Sequence, residues 1–454
     1  MIKTTISSRH WLHLHIETKA RELHAKALLC CVAAERGWGA TLGHVFPMLR
    51  MYEVLPPGVI INQNMALGTM DTIKRVRLYG HRMSCWDEEG LIYHEDFYRR
   101  RRLDVDTFDA VDYIFAWGKR QSDDICLALN RPSEKIILSG NPRFDLLRPD
   151  FRNIFNINIQ KIHERYGKII LINTHFGFYN HVVTKNVIDH YIKSKKIKSV
   201  EEEVIMRQVL DHHKNLFPHF LHLIPLLSEK FPNHTIIIRP HPSESHVPWI
   251  ELAKDLKNVK VVYEGNASEW ILASEVMIHN NCMTGIEAFL LSKPSISYRP
   301  YVDDEIEHPL PNQVSYQAFN EKELLDIMNA IINNVTDFHL DREKQLKFAS
   351  EYITSIEGKL ACDKIMDALD RLDMPESEAI FPFSPTLQDY KILIKNVIKP
   401  NIYLNQKFPC LTLDELQDIL KEFQQASGRF ADVKIIPINP AGGLQNSCYC
   451  FYKP

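Results

Sequence analysis

The stretch TIIIRPHPSES, residues 235–245, is the part of the chain that decides the fold class. It opens with a threonine and three isoleucines, and a short run of β-branched residues is typical of a buried strand. The run ends at Pro240 and Pro242, because proline cannot donate a hydrogen bond to a sheet. The sequence therefore predicts a core strand that carries two cationic side chains, Arg239 and His241, to its carboxyl end.

Strands and helices alternate on both sides of this stretch. The segment 168–178, KIILINTHFGF, is typical of a buried strand, and the segment 201–231 is typical of a long helix. Beyond the opening stretch, the order strand, loop, helix recurs in the segments 259–265, 275–292 and 293–300. This half of the chain predicts one parallel sheet.

The first 150 residues show the same alternation. They contain a predicted strand at 11–16, a predicted helix at 17–38, and strand-to-loop steps at 58–64, 82–90, 111–118 and 135–142. Strands separated by helices at this spacing predict parallel sheets covered on both faces. We therefore predict an α/β fold with two Rossmann-like, doubly wound domains that face a cleft.

The chain is too long for one ordinary core, which also predicts two domains. The predicted segments are a first Rossmann-like domain over 1–150, a second over 160–345, a helical return segment over 346–375 and an appendage over 376–454. The appendage has no assigned role. Its clearest element is a helix over 412–428, in which Thr412 is the N-cap, Glu415 completes a capping box and Gly428 ends the helix.

Composition limits the classes of function. A formal net charge of −3 gives no general attraction to nucleic acid, so an anion site must be local. The nine cysteines form no Cys-x-x-Cys pair, which argues against structural zinc and favours a reducing, cytoplasmic setting. The densest histidine cluster, Asp211–His213, is consecutive in a predicted helix and cannot face one ion. We expect no signal peptide, no membrane span, no metal and no cofactor.

Two polar loops of the second domain suit an anion. At the end of the opening strand, a phosphate would gain charge-assisted hydrogen bonds from Arg239 and from protonated His241. It would also gain backbone N–H groups of Ser243 and Glu244. The alternative is a turn that the prolines make rigid, with two surface cations.

The second loop lies within MIHNNCMTGIEAFL, residues 277–290, and carries Asn280, Asn281, Cys282 and Thr284. The N-terminus of the helix that follows suits a phosphate. Gly285 permits close approach of a ligand to the backbone, and Glu287 offers an acceptor to a ribose. The alternative is an N-capped helix in which Glu287 complements the dipole. Two such loops in one domain predict a site for a nucleotide monophosphate or diphosphate.

Three consecutive carboxylates, Asp87, Glu88 and Glu89, follow a predicted strand of the first domain. Like charges at this spacing raise at least one pKa, as a general acid or base requires. A solvated acidic turn is the alternative. Further candidates to line the cleft are Glu17, Asp87, Asn141 and Thr174. Glu17 and Arg21 also have the spacing of a surface pair.

These motifs resemble those of bacterial surface carbohydrate biosynthesis proteins with the GT-B glycosyltransferase fold. The likeness is carried by WDEEG (86–90), RPHPSE (239–244) and HNNCMTGIEA (279–288). An acid-acid-Gly step followed by a His-Pro step is similar to the paired motifs of bacterial sialyltransferases and β-Kdo transferases. SGNPRFD (139–145) resembles a segment of lipid A Kdo transferases. The likeness covers roughly residues 10–340, a span given by these motifs and the elements between them.

The resemblance implies a metal-independent transferase that moves an ulosonic acid from a CMP donor to a hydroxyl of a surface glycan, in capsule or lipopolysaccharide, or of its lipid-linked precursor. It implies that Glu89 activates the acceptor, with Glu88 beside it. It implies that His241 and the Thr284 loop bind the donor phosphate. NNCMTG stands where that pattern has a serine-rich pair, which leaves the donor sugar open.

Other functions stay open on the same residues. A nucleotide-sugar 2-epimerase or a teichoic-acid-type glycerophosphotransferase would use the same second domain, and a non-catalytic subunit of a glycan assembly complex would have a degenerate cleft. The basic run YRRRR (98–102) would suit peripheral association with the cytoplasmic face of the inner membrane, with a solvated surface as the alternative.

Overall fold

The computed structural model describes residues 3–66, 68–93, 98–99, 102–184, 186–194, 197, 199–335, 340–383, 407–438 and 448–454. Its strands are β1 (Thr4–Ser8), β2 (Trp11–Ile16), β3 (Gly39–His44), β4 (Val59–Asn62), β5 (Arg82–Trp86), β6 (Ile114–Ala116), β7 (Ile136–Leu138), β8 (Ile169–Asn173), β9 (Thr235–Arg239), β10 (Val259–Val261), β11 (Val276–His279), β12 (Ser295–Tyr298), β13 (Tyr316–Ala318), β14 (Ser377–Phe381), β15 (Lys434–Pro437) and β16 (Cys448–Tyr452).

Its α-helices are α1 (Lys19–Glu35), α2 (Val45–Met51), α3 (Thr69–Arg77), α4 (Val105–Ala110), α5 (Lys119–Leu129), α6 (Pro142–Asp145), α7 (Asn156–Tyr166), α8 (Val187–Lys193), α9 (Val200–Lys230), α10 (Val247–Ala253), α11 (Ala267–Ala273), α12 (Met283–Leu290), α13 (Pro309–Gln313), α14 (Glu321–Ile332), α15 (Arg342–Tyr352), α16 (Ala361–Leu369) and α17 (Leu413–Ser427), with a 3-10 helix at Pro149–Phe155.

The chain forms two compact units. The described residues of Met1–Leu91, Glu95–Ile154 and Ser350–Pro454 form the first, and those of Ile92–His94 and Phe155–Ala349 form the second. Each unit has its own sheet.

The second unit is built on a six-stranded, fully parallel sheet in the order β10-β9-β8-β11-β12-β13. Counted from β8, this is the order 3-2-1-4-5-6 of a Rossmann fold, which reverses between β8 and β11. Helix α9 packs Phe217, Phe220 and Ile224 into the same buried cluster as Ile236 and Ile238 of β9. The predicted buried strand therefore lies in the core.

The first unit has an eight-stranded sheet in the order β15-β16-β3-β2-β4-β5-β6-β7. The six strands from β3 to β7 are parallel, and their order reverses between β2 and β4, as in flavodoxin-like sheets. The predicted α/β class with two Rossmann-like, doubly wound sheets is confirmed. The cleft that they were predicted to face stays a prediction.

Residues 376–454, set apart as an appendage in the sequence analysis, contribute strands to the first unit. β16 pairs with β3 and β15 pairs with β16, both antiparallel, while β14 pairs with β1. Gly43 lies opposite Cys448, and a Cβ at this glycine would collide with the cysteine sulfur. Glycine therefore permits β16 to approach β3.

Among the helices of the described segments, none combines the length and the hydrophobicity that crossing a bilayer requires. The basic run 98–102 is described only in part, because Arg100 and Arg101 lie outside the described residues.

Helix α17 has the N-cap and the C-terminal glycine that the sequence predicted, whereas the Glu415 carboxylate, predicted to complete a capping box, binds Lys19. The Thr412 hydroxyl accepts a hydrogen bond from the Glu415 N–H at 3.1 Å, and Gly428 ends the helix with φ of 66°. The Glu415 carboxylate accepts from the Lys19 ammonium at 2.6 Å, so this side chain ties α17 to α1.

We expect Thr412→Ala to lower the free energy of unfolding by about 1 kcal/mol, because it removes the oxygen that caps the first turn. Thr412→Ser keeps that oxygen and is the matched control. Thermal unfolding followed by circular dichroism measures the difference. Equal midpoints for the two variants would contradict the capping role.

Candidate functional site

The polar loops of the second unit meet at the carboxyl ends of β9, β8 and β11, which are neighbours in the sheet. In doubly wound sheets, ligands bind at this edge, near the point where the strand order reverses. The loops are 174–178, 240–245 and 280–284. Each is fixed by a buried polar side chain.

Glu244 fixes two of these loops. It is 1% exposed, and its carboxylate accepts hydrogen bonds from the Thr174 hydroxyl (2.9 Å) and from the N–H groups of Phe176 (2.9 Å) and His241 (3.1 Å). The Trp249 indole N–H lies 3.3 Å from its other oxygen. Burial raises the pKa of Glu244, although these four donors act in the opposite direction. The carboxylate thus joins the loop after β8 to the loop after β9.

Two consecutive asparagines fix the third loop. The Asn280 side chain accepts from the His175 N–H at 2.7 Å and donates to the His175 carbonyl at 3.2 Å. The Asn281 side chain accepts from the His308 N–H and donates to the His308 carbonyl, both at 2.7 Å. Asn281 has φ of 51°, a left-handed conformation that asparagine tolerates better than most residues. The loop after β11 is therefore fastened to the loops after β8 and β12.

His241 lies at this edge, and its hydrogen bonds select one tautomer. Its Nδ1 atom accepts from the Ser243 N–H at 3.2 Å and lies 2.8 Å from the Ser243 hydroxyl. A neutral His241 therefore carries its proton on Nε2. The Glu244 N–H, which we predicted to face a phosphate, donates to the His241 carbonyl at 2.8 Å. The two N–H groups predicted to bind an anion thus have acceptors within the turn.

Arg239 turns away from these loops. Its Nη2 atom donates to the carbonyls of Glu264 (3.0 Å) and Gly265 (3.2 Å), and its guanidinium lies 5.5 Å from the Trp270 ring centroid. Burial lowers the pKa of Arg239 to about 10. Its contacts thus fasten β9 to the loop after β10, while its predicted role as a phosphate ligand stays a prediction.

Helix α12 begins earlier than the sequence suggested. Cys282 is the N-cap, so Thr284 and Gly285 are the second and third helical residues, and Glu287 is buried in the second turn. A Cβ on Gly285 would lie 2.5 Å from the His279 imidazole, so packing against this ring accounts for the glycine. Burial raises the pKa of the Cys282 thiol.

The carboxylates of the first unit lie together after β5, but each has a different environment. Glu88 is buried, 2.9 Å from the Lys26 ammonium, and accepts from the Trp86 indole N–H at 3.0 Å. Lys26 also pairs with Glu22 at 2.7 Å and donates to the His15 carbonyl. Glu88 is thus held in a buried charge network that Lys26 extends to the carboxyl end of β2.

Asp87, not Glu89, has the raised pKa that the acidic triplet predicted. Burial raises the pKa of Asp87 to about 6, although Arg102, 2.9 Å away, opposes the shift. The Glu89 side chain is 57% exposed and pairs with Arg21 at 3.0 Å. Partial burial acts to raise the pKa of Glu89, but the positive charges of Arg21 and Arg102 outweigh it and lower this pKa. Glu89 is therefore ionised at neutral pH.

The side chains of the remaining candidates have structural partners. Glu17 precedes α1 and pairs with Lys407 at 2.7 Å instead of with Arg21. Asn141 is the N-cap of α6 and accepts from the Arg143 N–H. Thr174 joins the second unit's loops through Glu244. No group of three or more histidine, cysteine, aspartate or glutamate side chains in the described residues is arranged to hold a metal ion.

Sequence analysis missed four residues of these two sites: Glu22, Lys26, His175 and the Glu244 side chain. Glu22 and Lys26 had a signal, because opposite charges four residues apart lie beside the predicted buried face of α1. His175 had none, because it lies inside the segment 168–178 that was predicted as a strand, and the Glu244 side chain had none beyond its position in the loop after a predicted strand.

No family model and no curated protein matches the chain. Among solved structures, it is similar to a UDP-GlcNAc 2-epimerase from Neisseria meningitidis bound to UDP-GlcNAc, with 15% identity, 80% of this chain and 99% of that chain covered, and a TM-score of 0.48. It is also similar to the wall teichoic acid polymerase TagF, with 12% identity, 80% of this chain and 89% of that chain covered, and a TM-score of 0.48. A third similar structure is HepE of Anabaena in complex with UDP-glucose, with 10% identity, 80% of this chain and 100% of that chain covered, and a TM-score of 0.44. Likenesses at these TM-scores establish nothing about the activity of this chain.

We expect Glu244→Leu to destabilise the second unit by about 1–3 kcal/mol, because its side chain leaves the N–H groups of Phe176 and His241 without their acceptor. Amide hydrogen exchange at Phe176 and His241, with the thermal midpoint, measures the effect. Glu251→Leu, which removes an exposed carboxylate on α10 paired with Lys254, is the control. Unchanged exchange in Glu244→Leu would show that the carboxylate does not fix the loops.

Proposed function

We propose that the chain is a glycosyltransferase of surface glycan biosynthesis that transfers a sugar, an ulosonic acid, from a CMP donor to a hydroxyl of a glycan or lipid-linked glycan. The observation that supports donor binding is the edge of the second unit's sheet. There His241, with a defined tautomer, follows β9, the neighbour of β8, and Asn280 joins the loop after β8 to the loop that leads into α12.

The charges at this edge favour a donor with one phosphate. The loops 174–178, 240–245 and 280–284 contain no lysine or arginine. The Arg239 guanidinium binds two backbone carbonyls instead. Imidazoles and a helix start, which is equivalent to about half a positive charge, balance one anionic phosphodiester more readily than a diphosphate. This supports a CMP-linked donor over a UDP-linked or CDP-linked one.

In the proposed reaction, the bond between the anomeric carbon and the phosphate oxygen breaks, and an acceptor hydroxyl oxygen forms the new bond to that carbon. The acceptor proton passes to Glu89, which suits this role because it is ionised and exposed. CMP leaves with the bonding electrons, and His241 stabilises its phosphate or protonates it. A carboxylate acting as nucleophile would instead retain the anomeric configuration.

A thermal-shift panel of CMP-, UDP- and CDP-linked donors tests donor binding. We expect the CMP-linked donors to raise the unfolding midpoint most, because a ligand that binds only the folded state stabilises it. We expect His241→Ala to lower the affinity for the stabilising nucleotide by roughly tenfold, the loss of one charge-assisted hydrogen bond.

His246→Ala, which removes a nearby half-buried histidine that contacts Tyr263, is the matched control. Stabilisation by a UDP-linked donor alone would favour a 2-epimerase, and stabilisation by CDP-glycerol alone would favour a glycerophosphotransferase. No stabilisation by any nucleotide would favour a non-catalytic subunit. Equal affinity of His241→Ala and the unaltered chain would remove His241 from the donor site.

We expect Glu89→Gln to abolish turnover, measured as acceptor-dependent release of CMP, while nucleotide affinity stays within about twofold. The amide keeps the shape of the side chain but cannot take the proton, a contribution of typically about 10²–10⁴-fold. Glu53→Gln, an exposed carboxylate of the same unit, is the control. Full turnover in Glu89→Gln would exclude Glu89 as the base.

A further inference from the structure

His175 is a second imidazole at the carboxyl edge of the second unit's sheet. It follows β8, directly beside the point where the strand order reverses. Its ring centroid lies 4.9 Å from that of His241, with an angle of 67° between the ring planes. A phosphate placed against His241 would therefore be within reach of His175.

The backbone of His175 is held on both sides by one side chain. Asn280 accepts from its N–H and donates to its carbonyl, and Asn280 is itself 4% exposed. A buried amide that bonds both polar groups of one residue fixes its backbone and thereby limits the positions its side chain can take. The position of His175 is thus fixed through its backbone.

Among the described residues, the neighbouring charged and titratable groups either stay neutral or bind other partners. His213, on α9, has its ring 5.7 Å from His175, and burial lowers its pKa well below the ordinary value, so His213 stays neutral. The Glu244 carboxylate is occupied by its four donors. Arg239 is directed to the loop after β10. His212, next to His213 on α9, faces Glu307 at 3.6 Å.

We propose that His175 is a second anion-binding residue, which together with His241 holds the phosphate of a nucleoside monophosphate and takes up a proton when it binds. The proposal rests on the donor site proposed above. Two imidazoles about 5 Å apart repel each other when both are charged, and an anion between them removes this repulsion. Binding is then linked to protonation, so affinity falls as the pH rises.

Titration calorimetry with CMP, between pH 6 and 8.5 and in two buffers that differ in ionisation enthalpy, tests the proposal. Because the phosphate of CMP itself ionises with a pKa of about 6, proton uptake is compared between variants. We expect the unaltered chain to take up about half a proton more per CMP bound near neutral pH than His175→Gln does. We expect His175→Gln to lower the affinity roughly tenfold at pH 6 and by less at pH 8.5, and to reduce the proton uptake.

His175→Phe keeps a ring of similar shape against His213 and His241, and should lose the same affinity with an unchanged thermal midpoint. His219→Gln, which removes an exposed histidine from α9, is the control and should match the unaltered chain. CMP binding by His175→Gln with unaltered affinity and proton uptake would overturn the role of His175 and leave the donor site standing. Failure of the unaltered chain to bind any nucleotide would instead overturn the proposed function.

Discussion

The buried carboxylate of Glu244 is the interaction on which the second unit's site depends. The reversal of the strand order places three loops at one edge of the sheet, but the sheet fixes only their first residues. Glu244 joins two of these loops through three hydrogen bonds from Thr174, Phe176 and His241. A buried carboxylate is stable only where its lone pairs are satisfied, so the loops and the carboxylate determine each other's positions. Asn280 and Asn281 extend the same principle to the third loop.

In the first unit, by contrast, two buried carboxylates are paired with a lysine. Lys26, 3% exposed in its side chain, lies between the carboxylates of Glu22 and Glu88. Removing such charges from water is costly, and only complete pairing offsets the cost. Arg21 then connects the buried network to the exposed Glu89. The buried charges thus fix the position of the Glu89 carboxylate through Arg21. Glu89 itself stays in contact with water.

The sequence predicted those features that depend on short patterns. The run of isoleucines predicted β9, and Thr412 and Gly428 predicted the two ends of α17. Strand burial and helix capping depend on only a few neighbouring residues. It also placed Glu89 and His241 just after strands of two parallel sheets, as the structure has them. The α/β class followed from the same alternation.

Features that depend on residues far apart in the chain were not accessible in this way. Arg239 was expected at the anion site, but the carbonyls it binds belong to another loop. The raised pKa of Asp87 follows mainly from burial, which three consecutive acids do not reveal. Gly285 was assigned to ligand approach, whereas it packs against the His279 ring, a contact that depends on how α12 folds back on β11. The partner of β16 is β3, and nothing near Cys448 in the sequence indicates it.

That pairing has a consequence for the order of folding during synthesis. Cys448 pairs with Gly43, so the first unit's sheet cannot be completed until synthesis has passed Cys448, about 400 residues after β3. The second unit, whose residues run from Phe155 to Ala349 almost without interruption, can fold while the rest is still being translated. The first unit, although its synthesis begins earlier, is thus completed after the second unit. Until β16 has been made, one side of β3 is an open edge that a chaperone or a neighbouring chain could bind.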